Sequence, residues 1–146
     1  MKQLTLILIL CFLFSSMLLF AQNKISFKII VHKSNSNSTL TKDEISNLFL
    51  KKTTRWKGLN LPVEPVDLVE ASDVRSAFSD EIHGKNVGAV KAYWQKMIFS
   101  GRSVPAPEKK TETEVLKFVQ ENAGAIGYVS ASANLADYDV KVIQVK

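Results

Sequence analysis

Asn122-Ala123-Gly124-Ala125-Ile126-Gly127-Tyr128-Val129 is the stretch on which the reading of the fold turns. Asn122-Ala123-Gly124 reads as a left-handed stop to a helix, since asparagine and glycine tolerate positive φ. Ala125 to Val129 is short, apolar and rich in strand formers, and it reads as a buried strand. Gly127 in its middle marks a position where a side chain would obstruct a neighbour. Immediately upstream, Thr111-Glu112-Thr113-Glu114 has the spacing of a capping box. Val115, Leu116 and Val119 then give a helix its buried side. Downstream, Val140 to Val145 closes the chain as a strand. A capped helix running straight into a buried strand sets the fold class.

The same alternation extends toward the N-terminus. Ile25, Phe27, Ile29 and Val31 alternate with Ser26, Lys28, Ile30 and His32, a period of two and hence a strand. Lys33-Ser34-Asn35-Ser36-Asn37-Ser38 is a polar loop with no means of burying itself. Thr41 and Glu44 form a second capping box, followed by Ile45, Leu48 and Phe49 on one helical face. Trp56-Lys57-Gly58 breaks that pattern, and Trp56 reads either as a lid over the core or as a ligand platform. Pro62 to Val69 is extended and belongs near a sheet edge, because proline donates nothing to a ladder. Ser72 or Asp73 caps a helix with Val74, Ala77, Phe78 and Ile82 on its apolar face, and Gly84 ends it. Val87, Val90, Trp94, Met97 and Ile98 mark a further helix, and Pro105 and Pro107 a rigid loop. The aromatic residues Phe49, Phe78, Trp94, Phe99 and Phe118 read as core. Strands and helices intermix, so the expectation is one α/β domain with a small central sheet flanked by helices.

The first 21 residues read as a secretory signal peptide, with Lys2 as the positive region, Leu4 to Phe14 as the apolar run and cleavage after Ala21. The domain is then residues 22–146, with no membrane span after cleavage. Cys11, the only cysteine, falls inside that segment with Leu10 before it, which argues against lipidation. The remaining chain has no thiol for disulfide or nucleophilic chemistry. Loss of Lys2 takes the net charge from +5 to +4 over 125 residues. A mild positive excess suits anionic partners such as phosphate or an anionic membrane surface. Export and the lack of any recognisable module argue against nucleic acid.

The motifs of catalysis are missing. His32 and His83 are 51 positions apart, and there is no G-x-S-x-G elbow, G-x-G-x-x-G or P-loop. No metal and no cofactor is expected, and the reading is a protein that binds without catalysing. One place suits an anion: Ser72-Asp73-Val74-Arg75-Ser76 opens a helix directly after a strand. The amides of a helix start favour negative charge, and Arg75 with the hydroxyls of Ser72 and Ser76 could add hydrogen bonds. A plain N-cap beside a solvent-facing arginine is the simpler alternative. Asp73 argues for it, since its own carboxylate can occupy the same amides.

Four blocks in order carry a resemblance. They are Val31-His32-Lys33-Ser34-Asn35 through Leu40-Thr41 to Leu48-Phe49-Leu50; Trp56-Lys57-Gly58 with the strand entering the helix of Arg75 and Phe78; Tyr93-Trp94-Gln95-Lys96-Met97-Ile98-Phe99-Ser100-Gly101; and Glu114-Val115 through Gly124-Ala125-Ile126-Gly127-Tyr128-Val129. Together they resemble short members of the phosphate-type periplasmic solute-binding family, which keep one lobe of a two-lobed, type II periplasmic binding protein. The resemblance implies a periplasmic or secreted protein, a sheet-plus-helices lobe, and oxyanion binding at the helix start after the middle strand. Full-length phosphate binders carry an arginine shortly before a Ser-Gly-Thr at that start. Here Ser72 matches the serine, Asp73 and Val74 stand at the next two positions, and Leu68 stands at the arginine, with Arg75 as a stand-in. The expectation is an oxyanion, phosphate first, at Ser72, Arg75 and Ser76. The alternative is an envelope protein partner, or self-association, through the exposed half-cleft.

Overall fold

Ile29, Ile30 and Val31 are wholly inaccessible to solvent because strand β1 (Phe27–His32) lies between two partners and under two layers of helix. The computed structural model describes residues 24–146. The segment read from sequence as a signal peptide, its expected cleavage point and Cys11 lie outside the described residues. β1 pairs antiparallel with β6 (Ala125–Ser130) on one side and β7 (Val140–Val145) on the other. Tyr128 and Ile143 both face Ile29 across the ladders. β2 (Thr39–Leu40) adds parallel to β7 and β3 (Glu64–Pro65) parallel to β6, giving the order β2-β7-β1-β6-β3. A separate two-stranded ribbon joins β4 (Asp67–Leu68) to β5 (Glu108–Lys109).

Residues directly opposite in an antiparallel ladder share a face, so the register sorts the core into two halves. Phe27, Ile29 and Tyr128 point toward α1 (Lys42–Phe49) and α2 (Asp73–Phe78), where Phe49 and Phe78 complete an aromatic cluster. Ile30 and Gly127 point the other way, toward α4 (Glu112–Glu121). A Cβ at Gly127 would stand 2.8 Å from Val115 Cγ1 and 2.9 Å from Val66 Cγ1. Only a residue without a side chain lets α4 come that close to the sheet. With both faces covered, β6 reads as an apolar run from Ala125 to Val129, and β1 is apolar through its centre at Ile29, Ile30 and Val31.

Thr41 and Thr111 each close a full capping box, with Glu44 and Glu114 reaching back to the cap amide. α2 passes without interruption into a π-turn over Ser79–His83, which Gly84 ends in the left-handed region at φ 60°. α3 (Val87–Phe99) packs through Val90 and Trp94 on Leu50, in a small cluster apart from the main core. No helix among the described residues is long and apolar enough to cross a membrane.

The structure departs from the sequence reading in four places. The extended run 62–69 is split into β3, which pairs with β6 at the sheet edge, and β4, which leaves that sheet to pair with β5 in the ribbon. The helix before β6 has no left-handed stop: Asn122 is extended at φ −127°, and its side chain donates to the Phe118 carbonyl instead. The polar loop 33–38 does bury a residue. Asn35 is 1 % exposed, its Oδ1 accepting from the amide and the side chain of Asn37. Phe99 is not core; it ends α3 at 91 % exposure.

Candidate functional site

Asp67 is a lone carboxylate in an apolar strand, and burying it requires donors. Three converge. Tyr128, stacked in the core, donates its hydroxyl to Asp67 Oδ1, and the Leu68 amide donates to the same oxygen at 3.0 Å. Arg75 Nη2 lies 3.4 Å from Asp67 Oδ2. Arg75 reaches back from α2 because Ser72 caps the helix, its Oγ accepting from the Arg75 amide at 3.3 Å. Arg75 Nη1 donates to the Leu68 carbonyl and to Glu108 Oε1, each at 2.5 Å. Arg75 as a whole is 6 % exposed, so its guanidinium stitches α2, β4 and β5 together from inside.

Electrostatics follow from this geometry. Burial pushes the Asp67 carboxyl above its ordinary value, and the charge of Arg75 opposes that shift. For Arg75, burial works against the charged form, but Asp67 and Glu108 outweigh it and hold the guanidinium charged. Tyr128 is held well above the ordinary phenol range by burial and by the Asp67 carboxylate. One cation thus faces two carboxylates, and no net positive charge is left over.

The three residues singled out from sequence do not converge. Ser72 and Arg75 are joined through the cap, whereas Ser76 is exposed and lines a separate open groove. That groove, of about 580 Å³, also holds Lys24, Lys42, Asp73, Asp80 and Glu81. Glu81 bridges its two lysines at 3.1 and 3.2 Å. Sequence reasoning missed Asp67, Glu108 and Tyr128. A single carboxylate within Pro65-Val66-Asp67-Leu68-Val69 was the available signal, since such a group calls for a buried cation.

Two serine–histidine pairs bring a nucleophile to a base: His32 Nδ1 lies 2.7 Å from Ser34 Oγ, a local contact within the surface turn, and Ser46 Oγ lies 2.8 Å from His83 Nδ1. Burial, reinforced by the charge of Arg75, lowers the His83 pKa to about 4, so the ring is neutral. Among the described residues no carboxylate is hydrogen-bonded to that ring, which also meets Phe78 edge-on. The Ser46–His83 pair pins α1 to the π-turn. Among the described residues no three His, Cys, Asp or Glu side chains are grouped to hold a metal. Trp56 resolves as a lid: it is 3 % exposed, with Nε1 donating to the Gly124 carbonyl at 2.8 Å.

No family model matches the sequence, and no curated protein matches it. Solved structures do. A protein of Clostridium perfringens, assigned as a phosphate ABC transporter substrate-binding protein and solved with bound phosphate, superposes with a TM-score of 0.66 at 26 % identity, over 83 % of this chain and 45 % of its own. An ABC-type phosphate transport receptor from Vibrio cholerae gives 0.63 at 20 % identity, over 86 % of this chain and 51 % of its own. PstS from Borrelia burgdorferi gives 0.65 at 12 % identity, over 84 % and 47 %. The chain spans about half the length of these proteins.

Proposed function

The chain carries one lobe of the phosphate-type, type II periplasmic binding fold, and on that premise we propose that it is an exported solute-binding-like protein that binds a small oxyanion without catalysis. The observation that carries this reading is the likeness to the Clostridium perfringens protein, which was solved with phosphate. The start of α2 is the proposed place. The donors on offer are its opening amides and the hydroxyl of Ser76, with Ser72 and Arg75 fixing the turn from behind. Because Asp67 and Glu108 offset the charge of Arg75, binding there is weaker than at an unpaired arginine and falls as salt rises.

A second reading is the same lobe with no small ligand, acting through its half-cleft face on a protein partner or a second copy. The closure of Arg75 on Asp67 and Glu108 favours it.

Calorimetric titration of the folded protein with phosphate at low salt, beside sulfate, separates the two. Saturable heat with a dissociation constant below about 1 mM, some −4 kcal/mol of binding, supports the oxyanion reading. Loss of that heat in Ser76→Ala, with the fold intact, supports the place. No saturable heat for either anion retires the receptor reading and leaves the partner-binding lobe.

A further inference from the structure

Phe99 is the most exposed of the large apolar residues among those described, and it does not stand alone. Ile98 beside it is 50 % exposed and Val104 is 62 % exposed. The other aromatic residues among those described are buried or half-buried, whereas these three side chains stand exposed at the C-terminal end of α3 and in the loop after it. Large apolar side chains gathered at one exposed point mark an interaction site.

The tip is rigid. Gly101 takes φ 64°, its amide donates to the Ile98 carbonyl at 3.0 Å, and the Arg102 amide reaches back to Met97 at 3.0 Å. These two bonds are the pair that defines a Schellman turn. Behind it, Lys51 Nζ donates to the Pro105 carbonyl at 3.3 Å and holds the following loop to the end of α1. The apolar side chains are therefore displayed by a fixed turn and need little ordering on binding.

The chain that forms the tip carries charge of one sign. From residue 82 to residue 107 the chain contains no Asp or Glu, but it carries Lys85, Lys91, Lys96 and Arg102. Lys91 is paired with Glu70, while Lys96 and Arg102, on either side of Phe99, have no acidic partner among the described residues. Lys52, exposed near the base of α3, lies 6.0 Å from the centre of the Tyr93 ring. An apolar point flanked along the chain by two unpaired cations is complementary to a surface that is anionic outside and apolar beneath.

We propose that the α3 tip, Ile98, Phe99 and Val104 with Lys96 and Arg102, docks the protein on an anionic lipid surface. The shape decides between lipid and protein. The tip is a helix end and a turn, a convex point rather than a groove, and one aromatic ring projects from it. A projecting ring can enter the boundary between headgroups and acyl chains while flanking cations stay at the phosphates. The long stems of lysine and arginine let their charges reach that level. This inference is independent of whether α2 binds an oxyanion.

The test is binding of the full chain to vesicles of phosphatidylglycerol and phosphatidylcholine, beside vesicles of phosphatidylcholine alone. Phe99→Trp supplies the local reading, its emission compared with that of the parent protein, in which Trp56 and Trp94 are buried. The expected result is a blue shift on the anionic vesicles only, diminished by added salt. Phe99→Ser should weaken the binding by about tenfold or more, the scale of burying one such ring. Lys96→Glu with Arg102→Glu should abolish the preference for anionic lipid. Emission of the Phe99→Trp variant that stays unshifted on anionic vesicles overturns the proposal, even if the chain is held there by another segment. Phe99→Ser binding as well as the parent overturns it equally.

Discussion

The rings of Phe78 and Tyr128 lie parallel to within 4°, with centroids 3.9 Å apart. This stack ties α2 to β6, and the Tyr128 hydroxyl at its far end donates to Asp67. The same tyrosine therefore belongs to the aromatic core and to the charged stitch around Arg75. Removing its two roles separately tells them apart. Tyr128→Phe keeps the stack and leaves Asp67 with one donor fewer, which should cost about 1.5–3 kcal/mol. Phe78→Ala removes the stack and opens a cavity, at about 3–5 kcal/mol. The shift in urea midpoint measures both. A neutral Tyr128→Phe would mean that the hydroxyl is not needed to hold Asp67.

Arg75 carries the next prediction. Replacing it by methionine keeps much of the side-chain volume but strands Asp67 in a buried site, for an expected loss of about 3–5 kcal/mol at neutral pH. Asp67→Asn removes the charge that Arg75 answers, so the double variant should lose clearly less than the two single losses added. The sign with pH follows from the raised pKa of Asp67. A group whose folded pKa is raised contributes stability that is present at low pH and lost as pH climbs through the folded value. Without Arg75 that value rises further, so the deficit of Arg75→Met should shrink as pH falls toward the ordinary aspartate value near ~4. A deficit independent of pH would show that the arginine acts by packing alone.

His83 responds in the opposite direction. Its pKa is lowered to about 4, by burial first and then by the positive charge of Arg75, with Lys52 and Lys85 adding to it. Below about pH 6.5 the unfolded chain takes up a proton that the folded chain refuses, so stability falls between about pH 6.5 and pH 4. After allowance for the part of the ring that meets solvent, the loss is about 2–3 kcal/mol. Glu44, Glu81 and Glu114 have lowered values, held down by hydrogen bonds to Thr41, Lys24 and Thr111 respectively. Their stabilisation is lost only below the ordinary glutamate range, so the two windows are separable. His83→Asn, whose amide can keep the bond to Ser46, should flatten the stability curve between pH 4 and 6.5 and leave the steeper acid limb unchanged. Chemical denaturation at a series of pH values reads this directly.

What the sequence made legible was local. The two capping boxes, the Ser72 cap and the strand at 140–145 all rest on patterns within a few residues, and each stands in the structure. What it left dark was pairing at a distance. Asp67 meets Tyr128 across 61 positions, and Arg75 meets Glu108 across 33, so no spacing rule reaches them. Hence Arg75 reads as a free cation in sequence and proves to be buried between two carboxylates. Phe99 erred for a related reason: helical periodicity places a residue on a face but does not tell where the helix outruns the body it packs on. Asn35 shows the converse, a polar loop residue that is buried with its Oδ1 satisfied by Asn37 while its Nδ2 finds no partner among the described residues.

The two glycines of the segment before and within β6 give a final contrast. At Gly127 a new Cβ would meet the methyl groups of Val115 and Val66 at 2.8 and 2.9 Å. These are side chains, and α4 can yield by a few tenths of an ångström, so Gly127→Ala should cost about 1–3 kcal/mol of overpacking. At Gly124 the Cβ would lie 2.2 Å from the Pro62 carbonyl oxygen, a backbone atom on the approach to β3. The Gly124 carbonyl accepts from the Glu64 amide at 2.9 Å and from Trp56 Nε1 at 2.8 Å. Relief of the clash must therefore move β3 or the tryptophan lid, and both bonds go with it. Gly124→Ala should cost more than Gly127→Ala, and it alone should shift Trp56 emission to the red as water reaches the ring. Equal losses with unchanged emission would mean that the chain around Pro62 gives way without disturbing the lid.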